Sequence, residues 1–226
     1  MTRKPAPAAN GAGSPPVAVI GLVGGVGSGK SEVARLIVER GGVLVDADRI
    51  GHQLLREPGV KGKVRARWGD AVFGPDGEVD RATLAEEVFS EPVGSSRGIE
   101  ALNRIVHPEL TRRVRRAVEE VRREGRAPWV VVDAALLLEW GLESLCDVVV
   151  FVEAPAQERR RRLREGRGWS PGELARRERR QLPLKEKRAR AGYVLPNGGD
   201  REALAAEVEK LLAAVRESAR TGRGGA

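Results

Sequence analysis

Residues 21–33, GLVGGVGSGKSEV, set five glycines around one lysine directly after the apolar run VAVI. Glycine loses more conformational freedom on folding than any other residue. A cluster of them at a strand end is therefore retained where the backbone must take positive φ or approach a ligand closely. From Gly24 the letters fit G-x-x-x-x-G-K-[ST], with Gly29, Lys30 and Ser31 closing the pattern. In that pattern successive backbone N–H groups form an anion-binding nest, and the following helix adds its free N–H groups and the positive end of its dipole. The nest is expected from Gly25, Val26, Gly27, Ser28, Gly29, Lys30, Ser31 and Glu32. Lys30 would reach the β- and γ-phosphates of ATP, and the Ser31 hydroxyl would ligate Mg²⁺. The flanks agree, since an apolar strand reads from Val17 to Leu22 and a helical pattern follows through Val33, Leu36 and Ile37. A dinucleotide fingerprint, G-x-G-x-x-G, fails on spacing: its sixth position falls on Lys30 or Glu32.

Beyond the loop, apolar runs alternate with helical patterns. GGVLVDAD reads as a short second strand ending in two aspartates; WVVVDAALLLE, CDVVVFVEAP and GYVLPNGG read as later ones. Strands separated by helices imply a parallel sheet covered on both faces, and continuous apolar strands are what such a sheet requires. The expected fold is a P-loop NTPase, a three-layer α/β/α arrangement with a parallel sheet and two helical insertions. The boundaries expected are a disordered tail over 1–16, core over 17–48, a helical acceptor-binding insertion over 49–127 and core again over 128–156. A lid over 157–191, a last strand and helix over 192–216, and a disordered tail over 217–226 complete the chain. Such insertions suit a small-molecule kinase, in which one holds the acceptor and the other closes over ATP and excludes water.

The net charge of +8 raises the question of nucleic acid. The arginines, however, lie in helical segments interleaved with glutamate, and an aromatic content of 4% leaves little for stacking on bases. The expectation is no nucleic-acid partner. The N-terminal segment lacks the apolar stretch of a secretory signal, no run is long enough to span a membrane, and a single cysteine, Cys146, fits a reducing compartment. These features point to a cytoplasmic protein without a membrane partner. Cys146 and the four tryptophans read as packing residues, and no Cys/His spacing suits zinc.

Several further stretches carry a resemblance. The opening through DADRIGHQLL, the block RWGDAVFGPDGEVDRATLAEEVF, the element LNRIVHPEL, DAALLLEWG, and QLPLKEKRARAGYVLPNGG together resemble the dephospho-CoA kinase family, in order over roughly residues 17–215. The last stretch matches through Gln181, Lys187, Arg188, Ala191 and Asn197. Ala135 stands where that family usually has proline, Gly192 and Pro196 replace two customary aspartates, and Glu32 replaces a small residue. The resemblance implies ATP-dependent phosphorylation of the ribose 3′-hydroxyl of dephospho-CoA, the last step in making coenzyme A. A monomer or weak homo-oligomer is expected.

Within that reading Asp48, after the second strand, is the candidate general base, with helix N-capping as its structural alternative. Asp46 would support the site or the metal shell, and Asp133, ending an apolar strand, resembles a Walker-B acid acting through water. In the lid, Arg162 and Arg167 fall where the family places arginines on the transferring phosphate; the four consecutive arginines 159–162 leave the register open, with the neighbours Arg161 and Arg164 as alternatives. Arg159 and Arg160 are expected to matter little. His107 is expected at the cap of a helix that Pro108 begins, or packed locally, with a lining role in the acceptor pocket. His52 faces the acceptor or the surface. The rival functions are another P-loop nucleotide or small-molecule kinase and a nucleic-acid-binding P-loop protein; a GTPase is disfavoured because no N-K-x-D guanine motif occurs.

Overall fold

Strand β1 (Ala18–Gly24) is buried along its whole length, as a strand covered on both faces must be. It is the centre of a parallel sheet with β3 (Trp129–Asp133) and β4 (Val148–Glu153) beside it, and β2 (Val43–Asp46) and β5 (Tyr193–Pro196) at the edges. The order is β2-β3-β1-β4-β5. The structure, a computed structural model, describes residues 17–89, 97–179 and 181–221, except the side chains of Arg167 and Pro171. In chain order the helices are α1 (Lys30–Glu39), α2 (Ala47–Leu54), α3 (Pro58–Trp68), α4 (Arg81–Phe89), α5 (Arg97–Glu124), α6 (Ala156–Arg167), α7 (Pro171–Glu178), α8 (Leu184–Ala189) and α9 (Arg201–Thr221).

The two faces of the sheet carry separate cores because strand side chains alternate. Ile20, Leu22, Val131 and Val150 pack with Val33 and Ile37 of α1 and with Leu204, Val208 and Leu211 of α9. Val19, Val130 and Val132 pack on the other face with Leu54 of α2 and Leu110, Val114 and Val118 of α5. A third cluster, Val60, Val64, Val72, Leu84 and Val88, joins α3 to α4 away from the sheet. Cys146 packs against the sheet: a side chain at Gly21 would sit 2.7 Å from its Sγ, and burial pushes the thiol up to about 12. No helix among the described residues is long and apolar enough to cross a membrane.

Some expectations need correction. Pro108 does not begin a helix; α5 runs through it from Arg97 to Glu124. Buried Ala101 precedes the proline and buried Leu110, Val114, Val118 and Val121 follow it, and this burial outweighs the roughly 3 kcal/mol an interior proline costs. The third strand stops at Asp133 instead of using all of WVVVDAALLLE; Leu137 and Leu138 are buried from turns, not from a strand. The last helix reaches Thr221, past the expected boundary at 216. The tail expected over 1–16, and residues 222–226 of the one expected over 217–226, lie outside the described residues.

Candidate active site

Between β1 and α1 the chain turns through residues 24–29, with Gly24, Gly27 and Gly29 at φ of 150°, 77° and 93°. Side chains are excluded from the outside of the turn as well. A Cβ at Gly27 would lie 2.9 Å from the Arg159 carbonyl oxygen, one at Gly25 would lie 2.5 Å from the Arg159 guanidinium, and one at Gly29 would overlap Nδ2 of Asn197. The loop is thus packed behind and free to present N–H groups in front. Ser28 is buried, and its Oγ has no hydrogen-bond partner among the described residues. A buried unpaired hydroxyl within such a nest suits a phosphate oxygen.

Lys30 opens α1. Its Nζ lies 3.4 Å and 3.5 Å from the carbonyl oxygens of Gly24 and Gly25, contacts long enough to be exchanged readily. Burial pulls its pKa down, Asp133 opposes that most, and Lys187 lowers it further.

The sheet register brings the carboxylates to one edge. Asp46 pairs with Asp133 across β2 and β3, and Asp133 with Leu22 of β1. Burial chiefly raises the Asp133 carboxyl, with Lys30 and, less, the Ser31 hydroxyl acting against it. Asp46, not Asp48, caps α2: its Oδ1 accepts from the Arg49 N–H at 2.8 Å. Asp48 lies in the first turn of α2 and accepts from the Ala135 N–H at 3.2 Å. Burial pushes its pKa up to about 6; the Ala135 hydrogen bond lowers it, Asp133 and Asp46 raise it, and Lys30 lowers it. The cap is Asp46 because it ends β2 in extended conformation, which leaves its side chain beside the first helical N–H groups.

Asp48, His52 and His107 line one cavity of about 120 Å³, together with Leu102, Asn103 and Trp140. His52 is largely exposed, and its pKa is lowered by partial burial and by Arg81. His107 sits mid-helix, not at a cap; its Nε2 donates to the Trp140 carbonyl, and the Trp140 indole donates to Asn103 at 3.2 Å.

On α6, Arg162 donates to the carbonyl oxygen of Asn197 at 3.2 Å, and Asn197 donates to the Ser28 carbonyl at 2.7 Å. Arg162 therefore reaches the loop through Asn197, whereas exposed Arg161 pairs with Glu158 and Glu165 and exposed Arg164 lies 3.9 Å from Glu165. The Arg167 side chain falls outside the described residues. Arg159, whose substitution is expected to matter little, packs against the loop. It is 8% exposed and donates to the Val26 carbonyl at 3.2 Å and to Glu178 at 2.6 Å, bracing the loop from behind. Its position in a run of four arginines hid that role, which only the facing of α6 reveals. Glu139 was likewise just one letter of a matched stretch; it pairs with Lys187 at 3.1 Å.

No cluster of three or more His, Cys, Asp or Glu side chains among the described residues could hold a metal ion by itself. The Ser31 hydroxyl beside the Asp133 carboxylate is a pair of hard oxygens, which fits Mg²⁺, an ion that keeps waters and takes phosphate oxygens as further ligands.

The family model described as dephospho-CoA kinase matches residues 18–202. The chain belongs to the dephospho-CoA kinase family. It is 40% identical over 200 residues to the dephospho-CoA kinase of Anaeromyxobacter dehalogenans, covering 88% of this chain and 92% of that one. It is 39% identical over 214 residues to the dephospho-CoA kinase of Deinococcus radiodurans, covering 94% and 97%. Among solved structures, one from Thermus thermophilus superposes with a TM-score of 0.71 at 36% identity, covering 87% of this chain and 97% of that one. Membership in this kinase family agrees with a parallel sheet whose first strand ends in a phosphate loop.

Proposed function

We propose that this dephospho-CoA kinase family member transfers the γ-phosphoryl group of ATP to the ribose 3′-hydroxyl of dephospho-CoA, giving coenzyme A and ADP. The observation that carries the reading is the placement of Asp48: a carboxylate titrating near 6, at the edge of the sheet, within the electrostatic reach of Lys30 and beside a cavity. Phosphoryl transfer asks for little covalent chemistry from the protein beyond positioning, charge neutralisation and removal of one proton. The bond from the acceptor oxygen to phosphorus forms as the β–γ bridging bond breaks. The hydroxyl proton passes to Asp48, and the leaving oxygen departs with ADP. Near neutral pH Asp48 is ionised yet basic enough to accept that proton.

The loop N–H groups hold the phosphates, and Lys30 offsets the charge that grows on the bridging oxygen. Mg²⁺, held by Ser31 directly and by Asp133 or Asp46 through water, would neutralise β- and γ-phosphate charge. The acceptor would lie in the cavity of Asp48, His52 and His107, walled by the 49–127 insertion. Residues 157–191 would act as a lid that brings Arg162 and Arg167 to the transferring group and excludes water. The partners are then ATP and dephospho-CoA, with no nucleic acid and no membrane, for a cytoplasmic monomer or weak homo-oligomer.

A coupled ADP-release assay with ATP, Mg²⁺ and dephospho-CoA, run beside adenosine and AMP as acceptors, tests the reading. Turnover confined to dephospho-CoA, with phosphorus NMR placing the new phosphate on the 3′-hydroxyl, is the expected result. Equal turnover of AMP, or phosphate on the 2′-hydroxyl, would refute it.

A further inference from the structure

Three of the four tryptophans carry an arginine over the ring: Arg67 over Trp68, Arg177 over Trp169 and Arg216 over Trp129. Trp140 instead lines the cavity that holds Asp48. Each of its polar groups is engaged. The backbone N–H donates to the Leu136 carbonyl at 2.9 Å, the backbone carbonyl accepts from His107 Nε2, and the indole Nε1 donates to Oδ1 of Asn103 at 3.2 Å. Asn103 and His107 stand one helical turn apart on α5, on one face, and both line the same cavity. The long helix of the insertion therefore grips Trp140 at its main chain and at its indole. The ring is fixed in the cavity wall.

The acceptor's own chemistry decides what that ring meets. The 3′-oxygen that approaches Asp48 is joined to the base through C3′, C2′ and C1′ of the ribose, whereas the pantetheine arm begins beyond two phosphates. The base is thus the large unsaturated group nearest the reacting oxygen. The pyrophosphate is a poor occupant, because Leu55, Leu102, Val106 and Leu110 face the same space and an unpaired anion among them would be costly. Size agrees with this choice. The cavity holds about 120 Å³, and an apolar cavity of roughly 150 Å³ takes one benzene ring. That is room for the greater part of one flat ring system, not for a branched chain.

We propose that Trp140 is a specificity-determining residue: its indole stacks on the adenine of dephospho-CoA and so holds the ribose beside Asp48. The assignment rests on the kinase reading above. Asn103 and His107 are positioning residues that act through the indole. A ring fixed before binding loses little freedom when the base arrives, so stacking is expressed as affinity.

The test compares dephospho-CoA with the same molecule carrying hydrogen in place of adenine, by calorimetric titration and by turnover with ATP and Mg²⁺. The unmutated protein should bind the base-free acceptor weaker by on the order of tenfold or more. Trp140→Leu should weaken dephospho-CoA binding by a similar factor and raise its KM, with kcat and the KM for ATP changed by less than about threefold. The same substitution should change binding of the base-free acceptor by less than about twofold, since the partner of the ring is already gone. Asn103→Ala frees the indole and should show the same pattern at about threefold. Equal losses with both acceptors would show a structural role and overturn the proposal. So would unchanged dephospho-CoA binding in a folded Trp140→Leu. If that variant does not fold, Trp140→Phe decides. It should still bind dephospho-CoA but lose the quenching of tryptophan fluorescence that dephospho-CoA causes in the unmutated protein, and quenching kept in full would refute the stack. Failure of the kinase reading looks different: the unmutated protein would neither bind nor phosphorylate dephospho-CoA, and the assignment would fall with it.

Discussion

The backbone N–H of Ala135 is shared between the two carboxylate oxygens of Asp48, at 3.3 Å and 3.2 Å, and joins the turn after β3 to the first turn of α2. A hydrogen bond to the ionised form lowers a carboxyl pKa, so this contact opposes the burial that lifts Asp48 to about 6. Proline, which the resembled family usually carries at this position, has no N–H to give. Ala135 thus supplies a donor to the candidate base that a proline would withhold.

The pH dependence of turnover follows. Below about 6 Asp48 is protonated and cannot take the acceptor proton, so kcat/KM should fall on the acid side with a midpoint near that value. Ala135→Pro removes the stabilising donor and should move the midpoint upward, by about one unit. Profiles of kcat/KM from pH 5 to 9 for both proteins check this; a midpoint that stays put or moves down would rule out the Ala135 contact as a determinant.

Arg159 carries the second prediction. Its guanidinium ties the Val26 carbonyl in the loop to Glu178 on α7, and its side chain is buried. Arg159→Ala leaves both acceptors without this donor, at a cost of roughly 1.5–3 kcal/mol for a hydrogen bond to a charged group. ATP-analogue affinity should drop about tenfold and the melting temperature should fall, while exposed Arg160→Ala stays near the parent. Thermal melts with and without the analogue separate the two effects.

A third prediction concerns Gly29. Its φ of 93° and the approach of Asn197 Nδ2 each exclude a side chain. Gly29→Ala should therefore destroy nucleotide binding. Trimming Asn197 to alanine in the same protein relieves the clash but not the left-handed backbone, whose cost for an L-residue is about 1–2 kcal/mol. It also removes the hydrogen bond to the Ser28 carbonyl. Calorimetric titration should find no recovery in the double variant; recovery would mean that the clash alone matters.

How much of this was legible beforehand depends on whether the signal was local. The phosphate loop was, because Gly24, Gly29, Lys30 and Ser31 sit at fixed spacing between a strand and a helix. The parallel sheet was, because β1, β3 and β4 are continuous apolar runs up to the acidic residues that end β3 and β4. Pro108 misled, since a helix start and an interior proline look alike until the buried face on both sides is known. The cap at α2 went to Asp46 rather than Asp48 by a two-residue shift that depends on where β2 ends. Lys187 lies two residues after exposed Lys185 in one charged stretch, and only the turn carrying Glu139, far away in sequence, distinguishes them. Long-range pairings of this kind have no periodicity to read.

The last prediction separates catalysis from stability at Asp48. With a folded pKa near 6 against an ordinary value of 3.8, the folded protein holds a proton between those values that the unfolded chain has released. Stability therefore falls as pH rises through that window, and above about 6 the full cost of burying the charge is present. Asp48→Asn has nothing to ionise. At pH 7.5 it should be more stable than the parent by about 1–3 kcal/mol, a rise of several degrees in melting temperature for a chain of this length. At pH 4, where the parent Asp48 is already protonated in the folded state, the gap should close. The same variant should lose on the order of 10²–10⁴-fold in kcat, because the amide can accept the hydrogen bond of the acceptor hydroxyl but is a poor base. ATP-analogue binding should change little, since Asp48 is not part of the loop. Melting curves at the two pH values, paired with turnover at pH 7.5, test both halves. A lower melting temperature at pH 7.5 would mean that the Ala135 hydrogen bond outweighs burial, and full turnover would place the base elsewhere.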